Sequence, residues 1–369
     1  MGKETLALDI LNNQLQTLDL VDPECLPFHA TGDIERRHET FDDPPRYLFR
    51  IFTPKSQGLT DSSWAKSMDA RYEATNSRVD IFARADRQRA AEMINRHLRW
   101  WKGPDDNLVS WTSSLLFALT YIFHLHANTT HGLDFDNINL CIIDTSRFPA
   151  AVFFRDMDLI RAFRLADNDL RNFEGLRSKR SRRFSGSYYF GEYLSQGALK
   201  IEGKCQIVSG QDIISQGLYD ILPEFEVFAG WEPGRNPPWA DPVIELRERF
   251  YRNKTERQGI SSEGLQAALN ISQLFDSNWR LPIAASFIAL AAPHVADEKI
   301  LLAFRSPSFT DQNRENCSPC RTKMMAYDAL PEVKEYGIIM RSIHKDYRLG
   351  QFKGKPLLFK YFAFYVIKY

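Results

Sequence analysis

Three short segments hold the residue types that glycosyl chemistry requires. Tyr47-Leu48-Phe49-Arg50-Ile51 sets one arginine in an apolar stretch. Val109-Ser110-Trp111-Thr112-Ser113-Ser114 gathers hydroxyls ahead of an apolar run. Gly191-Glu192-Tyr193-Leu194-Ser195-Gln196-Gly197 opens on a carboxylate and closes on glycine. Breaking a bond at a sugar's anomeric carbon builds positive charge on the ring, and an anion beside it stabilises that charge. Glu192 is the candidate anion. Arg50 is the candidate phosphate or ribose clamp, because a guanidinium offers a planar fork of donors and stays charged. A working carboxylate must be held in one rotamer, and Ser110, Thr112 and Ser113 could supply the hydrogen bonds. Each segment also has a plainer reading. Arg50 could reach solvent from a strand, the hydroxyls could cap a helix, and Glu192 could be a solvated charge on an edge strand. The order and flanks of the three, taken together, favour the chemical reading.

The elements that must position these residues follow from pattern. Tyr47 to Thr53 is aromatic and β-branched, lies between Pro45 and Pro54, and reads as a strand. Val79 to Trp101 shows apolar residues at helical spacing. Ser110 to Ser114 then precede a second helix, Leu115 to His126. Ile138 to Asp144 reads as a buried strand and Asp156 to Phe163 as a short helix. Tyr188 to Leu194 and Gly203 to Val208 read as two further strands, close enough in sequence to pair. Residues 4–20 have the spacing of a short amphipathic helix, and 21–44 are an irregular arm. A proline- and glycine-rich stretch at 229–240 marks a boundary. Residues 241–305 beyond it read mainly helical, and the apolar tail at 356–369 reads as docking on the body. The expected division is an arm at 1–44, a domain at 45–228, a linker at 229–240 and a mainly helical domain at 241–369.

Composition narrows the function classes. The 47 basic and 47 acidic residues of the 369 cancel, so no global field points to nucleic acid or an anionic membrane. The apolar run from Leu281 to Pro293 is too short to span a bilayer and reads as a core helix. Met1 to Ala7 lacks a secretory pattern. Five cysteines fit a reducing compartment. A cytoplasmic location is the expectation, with the nucleus open. Metal is not expected: Cys317-Ser318-Pro319-Cys320 has no second pair nearby, and His124-Leu125-His126 lacks the i, i+4 spacing of a helical metal pair.

Phe49-Arg50, Ser110-Trp111-Thr112 with Ala118 in the following helix, and Glu192 with Gly197 five residues on resemble the mono-ADP-ribosyltransferases of the cholera and heat-labile enterotoxin type. The resemblance covers about 45–210. It implies an α+β fold, a split β-sandwich with flanking helices, and NAD as substrate. It implies that Arg50 contacts NAD, with Ser110, Trp111 and Ser113 beside it, and that Ser110 and Thr112 orient a catalytic Glu192. The wording around Ser110 to Ala118 and Gly191 to Leu199 is also similar to an uncharacterised domain of filamentous fungi, a likeness that brings no activity. Two departures matter. Trp111 stands where the family has threonine. Phe190 stands where arginine-modifying members carry a second acid, two residues before the catalytic one. Without that carboxylate to orient a guanidinium, the resemblance implies a non-arginine acceptor.

The segment before Glu192, from Arg171 to Phe190, would be the substrate loop. It holds Arg171, Arg177, Lys179, Arg180, Arg182 and Arg183 against one acid, Glu174, and ends in Tyr188, Tyr189 and Phe190. Basic residues beside aromatics can track phosphates and stack bases, so a protein or a nucleic acid could be the acceptor. The alternative is a catalytically inactive interaction protein that binds nucleic acid or a nucleotide through 171–190.

Overall fold

A computed structural model describes residues 24–30, 44–128, 133–178, 188–232, 234, 237–251, 259–291, 298–306, 309 and 330–353. The proposed helix at 4–20, Cys317, Cys320 and the tail at 356–369 lie outside them. The described residues form two compact units. One holds residues up to Ser114 together with Asn137–Ile207. The other holds Leu115–Asp136 and the described residues from Val208 onward.

The first unit is α+β with antiparallel sheets. Its strands are β1 (Tyr47–Phe52), β2 (Leu59–Thr60), β3 (Trp64–Lys66), β4 (Leu108–Thr112), β5 (Asn139–Asp144), β6 (Phe154–Arg155), β7 (Glu192–Gln196), β8 (Ala198–Lys200) and β9 (Cys205–Ser209). The larger sheet runs β6-β7-β4-β1-β5-β9 and the smaller β2-β3-β8. Side chains alternate across a strand, so one face of the large sheet presents Leu48, Val109, Trp111, Cys141 and Ile143. These pack with Ala65 and Leu199 of the small sheet into one buried core. The helices are α1 (Met68–Arg71), α2 (Arg87–Leu98), α4 (Asp156–Phe163) and α5 (Asn168–Ser178). The last three pack on one another.

Two pairings set the site. β1 runs alongside β5 over its whole length, from Tyr47↔Asp144 to Phe52↔Asn139. Its register with β4 is a single pair, Phe49↔Thr112, so the two strands part at Arg50. β4 and β7 stay paired from Leu108↔Gln196 to Thr112↔Glu192. Gly197 ends β7 at φ +65°, where a Cβ would come within 2.6 Å of the Ser77 carbonyl oxygen, so glycine is required by both strain and space.

The second unit is helical in its described residues. It comprises α3 (Leu115–Ala127), α6 (Gly210–Ser215), α7 (Leu218–Ile221), α8 (Glu224–Ala229), α9 (Ala240–Glu248), α10 (Ser262–Ser272), α11 (Ser277–Leu290), α12 (Glu298–Phe304) and α13 (Pro331–Lys353). α3 is apolar nearly all round, which buries it among helices: Phe123 stacks on Phe225 of α8 at 5.3 Å. α11 is the core helix read in the apolar run, buried from Leu281 to Leu290. Among the described residues no helix is long and apolar enough to cross a membrane.

The helix expected after Ser110 to Ser114 is present as Leu115–Ala127, and Ser110 and Thr112 lie ahead of it within β4. Several other expectations change. The strands at 188–194 and 203–208 do not pair: β7 lies between β6 and β4, and β9 borders β5. Arg171 and Arg177 lie on α5 and not in a loop. The compact units also divide elsewhere than at 229–240, because α3 joins the helical unit while Asn137 to Ile207 returns to the sheets.

Candidate functional site

The site is assembled on the face of β4 opposite the core. Ser110 and Thr112 alternate with the buried Val109 and Trp111, so their side chains share the face that also carries Glu192. The Ser110 hydroxyl donates to Glu192 Oε1 at 2.7 Å. Arg50 fills the parting between β1 and β4. Its NH1 donates to the Ser110 carbonyl at 2.9 Å and its Nε to Thr60 Oγ1 of β2 at 3.1 Å. Arg50 leaves β1 on the core face, opposite Cys141, and reaches only the backbone carbonyl of Ser110, while the Ser110 hydroxyl holds Glu192 on the other face.

Two residues absent from the sequence reading extend this chain. His97, in the last turn of α2, contacts the Ser110 hydroxyl through Nε2 at 2.8 Å and Asp106 Oδ2 through Nδ1 at 2.7 Å. Asp106 is fixed in turn. Its amide donates to Asp69 Oδ1 at 2.9 Å, the Asp69 amide donates back to its carbonyl at 3.0 Å, and its Oδ1 accepts from the Leu108 amide at 3.0 Å. Asp69 sits at the start of α1, where burial raises its pKa.

The spacing Asp106–His97–Ser110 is that of a nucleophile, a base and an orienting carboxylate. The fourth member decides against a nucleophilic serine. Ser110 has one proton. With Glu192 ionised, that proton lies on the Ser110–Glu192 bond, so the hydroxyl accepts from His97 Nε2–H. His97 then donates from both nitrogens and is an imidazolium. Its titration agrees. Burial disfavours the charged ring, but Asp106, by charge and hydrogen bond, and Glu192 outweigh burial and the nearby Arg50 cation, and the pKa rises above that of an ordinary histidine.

Glu192 itself is 6% exposed. Its second oxygen accepts from Arg177 NH2 of α5 at 2.6 Å. Arg177 Nε lies 3.3 Å from Asp156 Oδ2, at the start of α4. Asp156 is fully buried. Burial raises its pKa, Glu192 adds to the rise, and Arg177 only partly offsets it, leaving the carboxyl at about 7.

The remaining expected residues fall elsewhere. The Thr112 hydroxyl donates to the Phe190 carbonyl at 2.7 Å and accepts from the Ser114 amide at 3.0 Å, so it pins the chain ahead of Glu192 without touching the carboxylate. The Ser113 hydroxyl reaches the Gly191 carbonyl at 3.4 Å. Trp111 lies on the opposite face, 1% exposed, and donates to Ser195 Oγ at 2.9 Å, so no ligand reaches it. Tyr189 and Phe190 are buried and offer no stacking surface, while Tyr188 is half-buried. Arg180, Arg182 and Arg183 lie outside the described residues. His124 and His126 each bond a backbone carbonyl, of Pro237 and of Leu133. Among the described residues no group of three or more His, Cys, Asp or Glu is arranged to hold a metal ion.

Comparison with known proteins adds one relationship. No curated protein and no solved structure matches this chain. Residues 43–200, the stretch that holds Arg50, His97, Asp106, Ser110, Asp156, Arg177 and Glu192, match the model of a domain of unknown function, DUF7587.

Proposed function

We propose that the first unit is an ADP-ribosyltransferase-like split β-sandwich that cleaves the nicotinamide–ribose bond of NAD and passes ADP-ribose to a non-arginine acceptor. The observation that carries this reading is the buried Glu192 held by the Ser110 hydroxyl, with Arg50 bracing the Ser110 carbonyl at the same strand edge. In this reading Glu192 stabilises the positive charge that grows on the ribose as nicotinamide leaves, and a fixed anion in a poorly hydrated site does this well. Ser110 and the His97–Asp106 pair hold Glu192 in one rotamer. Arg50 braces the strand edge and lies beside the phosphates or ribose. Where NAD is the substrate, a cytoplasmic or nuclear location suits the chemistry. The test is NAD cleavage by the full chain: Glu192→Gln keeps the hydrogen bond from Ser110 but removes the charge, and should lower the rate by about 10²-fold or more. Equal rates in the two proteins would sink the assignment.

A second reading keeps the fold without turnover, as an interaction protein. Arg177 favours it, because that guanidinium already neutralises Glu192. The two readings part on NAD binding. If NAD is a ligand, it raises the Tm of the full chain, since a ligand of the folded state stabilises it, and Arg50→Ala abolishes that rise. An NAD-independent Tm in both proteins would favour the interaction protein.

A further inference from the structure

Arg177 sits in a cradle built for a guanidinium. NH2 donates to Glu192 Oε2 at 2.6 Å and NH1 to the Tyr188 carbonyl at 3.0 Å. Nε faces Asp156 Oδ2 at 3.3 Å. The Cζ atom lies 4.8 Å from the Phe173 ring centre and 5.9 Å from that of Phe190. The side chain is 7% exposed. An arginine this desolvated does not leave Glu192 on its own, because a buried negative charge would remain behind. While it stays, it draws on the charge that Glu192 would otherwise offer to a cationic sugar. Arg177 is also the last residue but one of α5, so the occupant of the cradle is tethered to a helix end.

We infer that Arg177 is a built-in latch on Glu192, released by a ligand that brings both a cationic ribosyl end and an anionic phosphate. The inference rests on the NAD reading above. The exchange balances charge without making or breaking a covalent bond in the ligand. The cationic end of the dinucleotide takes the place of Arg177 at Glu192, and the pyrophosphate receives the displaced guanidinium as a bidentate partner. Glu192 keeps a cationic partner and Arg177 an anionic one, while Asp156, whose buried carboxyl is pushed up to about 7, takes a proton and stays neutral. A ligand with phosphate alone would leave Glu192 bare, so the latch discriminates by charge pattern.

The test uses the full chain with Arg177→Met and Asp156→Asn together, which removes the cation and one of its carboxylates and keeps the volume filled. Two rates are compared with wild type. One is carbodiimide-driven coupling of an amine to Glu192, read by peptide mass spectrometry without NAD. The other is NAD cleavage. The latch predicts at least a tenfold gain in both, the second lost again when Glu192→Gln is added. Equal coupling in the two proteins overturns the latch, whatever NAD does. Faster coupling with unchanged NAD cleavage overturns its role in turnover. Faster coupling while neither protein binds or cleaves NAD overturns the NAD reading and the ligand assigned here, but leaves the closed carboxylate standing. Should the double variant fail to fold, Arg177→Gln, which removes the cation and leaves a side-chain amide to donate to Glu192, is read the same way.

Discussion

Ser110 has one proton to give and two neighbours that could take it, and the choice governs what His97 does. Bonded to Glu192, the hydroxyl turns its lone pair to His97, and the ring is held as an imidazolium between Ser110 and Asp106. Loss of the His97 proton would let Nε2 compete for the serine proton and loosen Glu192. Activity should therefore fall on the alkaline side as pH rises through the His97 pKa, which lies above the ordinary histidine value. His97→Gln should remove that limb and cost roughly tenfold or more in kcat. Asp106→Asn keeps the Leu108 hydrogen bond but loses the charge, so it should move the limb to lower pH. The pH profiles of kcat for the three proteins check this. An alkaline limb that persists unchanged in His97→Gln assigns it to another group.

At the scale of elements, what could be read in the sequence depended on whether the signal was local. The β1 strand between two prolines, the β5 strand and the α4 helix all sit where short-range pattern placed them, because each carries its own periodicity and its own stops. The hydroxyl cluster left two placements open: Ser and Thr before an apolar run look the same whether they cap a helix or edge a strand. The alternation of buried Val109 and Trp111 with Ser110 and Thr112 was the signal that decides for a strand. α5 was hidden by its charge, although Leu170, Phe173 and Arg177 fall on one helical face and are its buried residues. Strand order was not legible, since β7 pairs with a strand eighty residues earlier, at Thr112↔Glu192. A comparable distance concealed His97 and Asp106, and a shorter one Asp156. Nothing near Glu192 in sequence marks them as its neighbours, and only the folded sheet brings them to it.

For the molecule as a whole, the buried acid and histidine link the site to folding stability. Asp156 titrates at about 7 when folded, against about 3.9 for an exposed aspartate. Between those values the folded chain binds a proton that the unfolded chain has released. Stability therefore falls as pH rises across that window. His97 adds in the same direction: its raised pKa contributes stability below the ordinary histidine value, and this is lost as pH rises through the folded value. Both groups make the fold stronger in mild acid than in mild base. The Asp156 shift caps its own share at about 4 kcal/mol, and coupling to Arg177 and Glu192 reduces what is realised. Asp156→Asn holds the side chain neutral at every pH and should flatten the dependence. Urea unfolding at pH 5.5 and pH 8, followed by hydrogen exchange at the β4 and β7 amides, measures it. Wild type should lose more stability between the two pH values than the variant by at least about 1 kcal/mol, the smallest share expected of a strongly shifted buried group. An equal loss in both would mean that Asp156 is ionised throughout. Arg177 would then be pairing two full negative charges, and the cradle would bind it more tightly as a latch than the neutral acid allows.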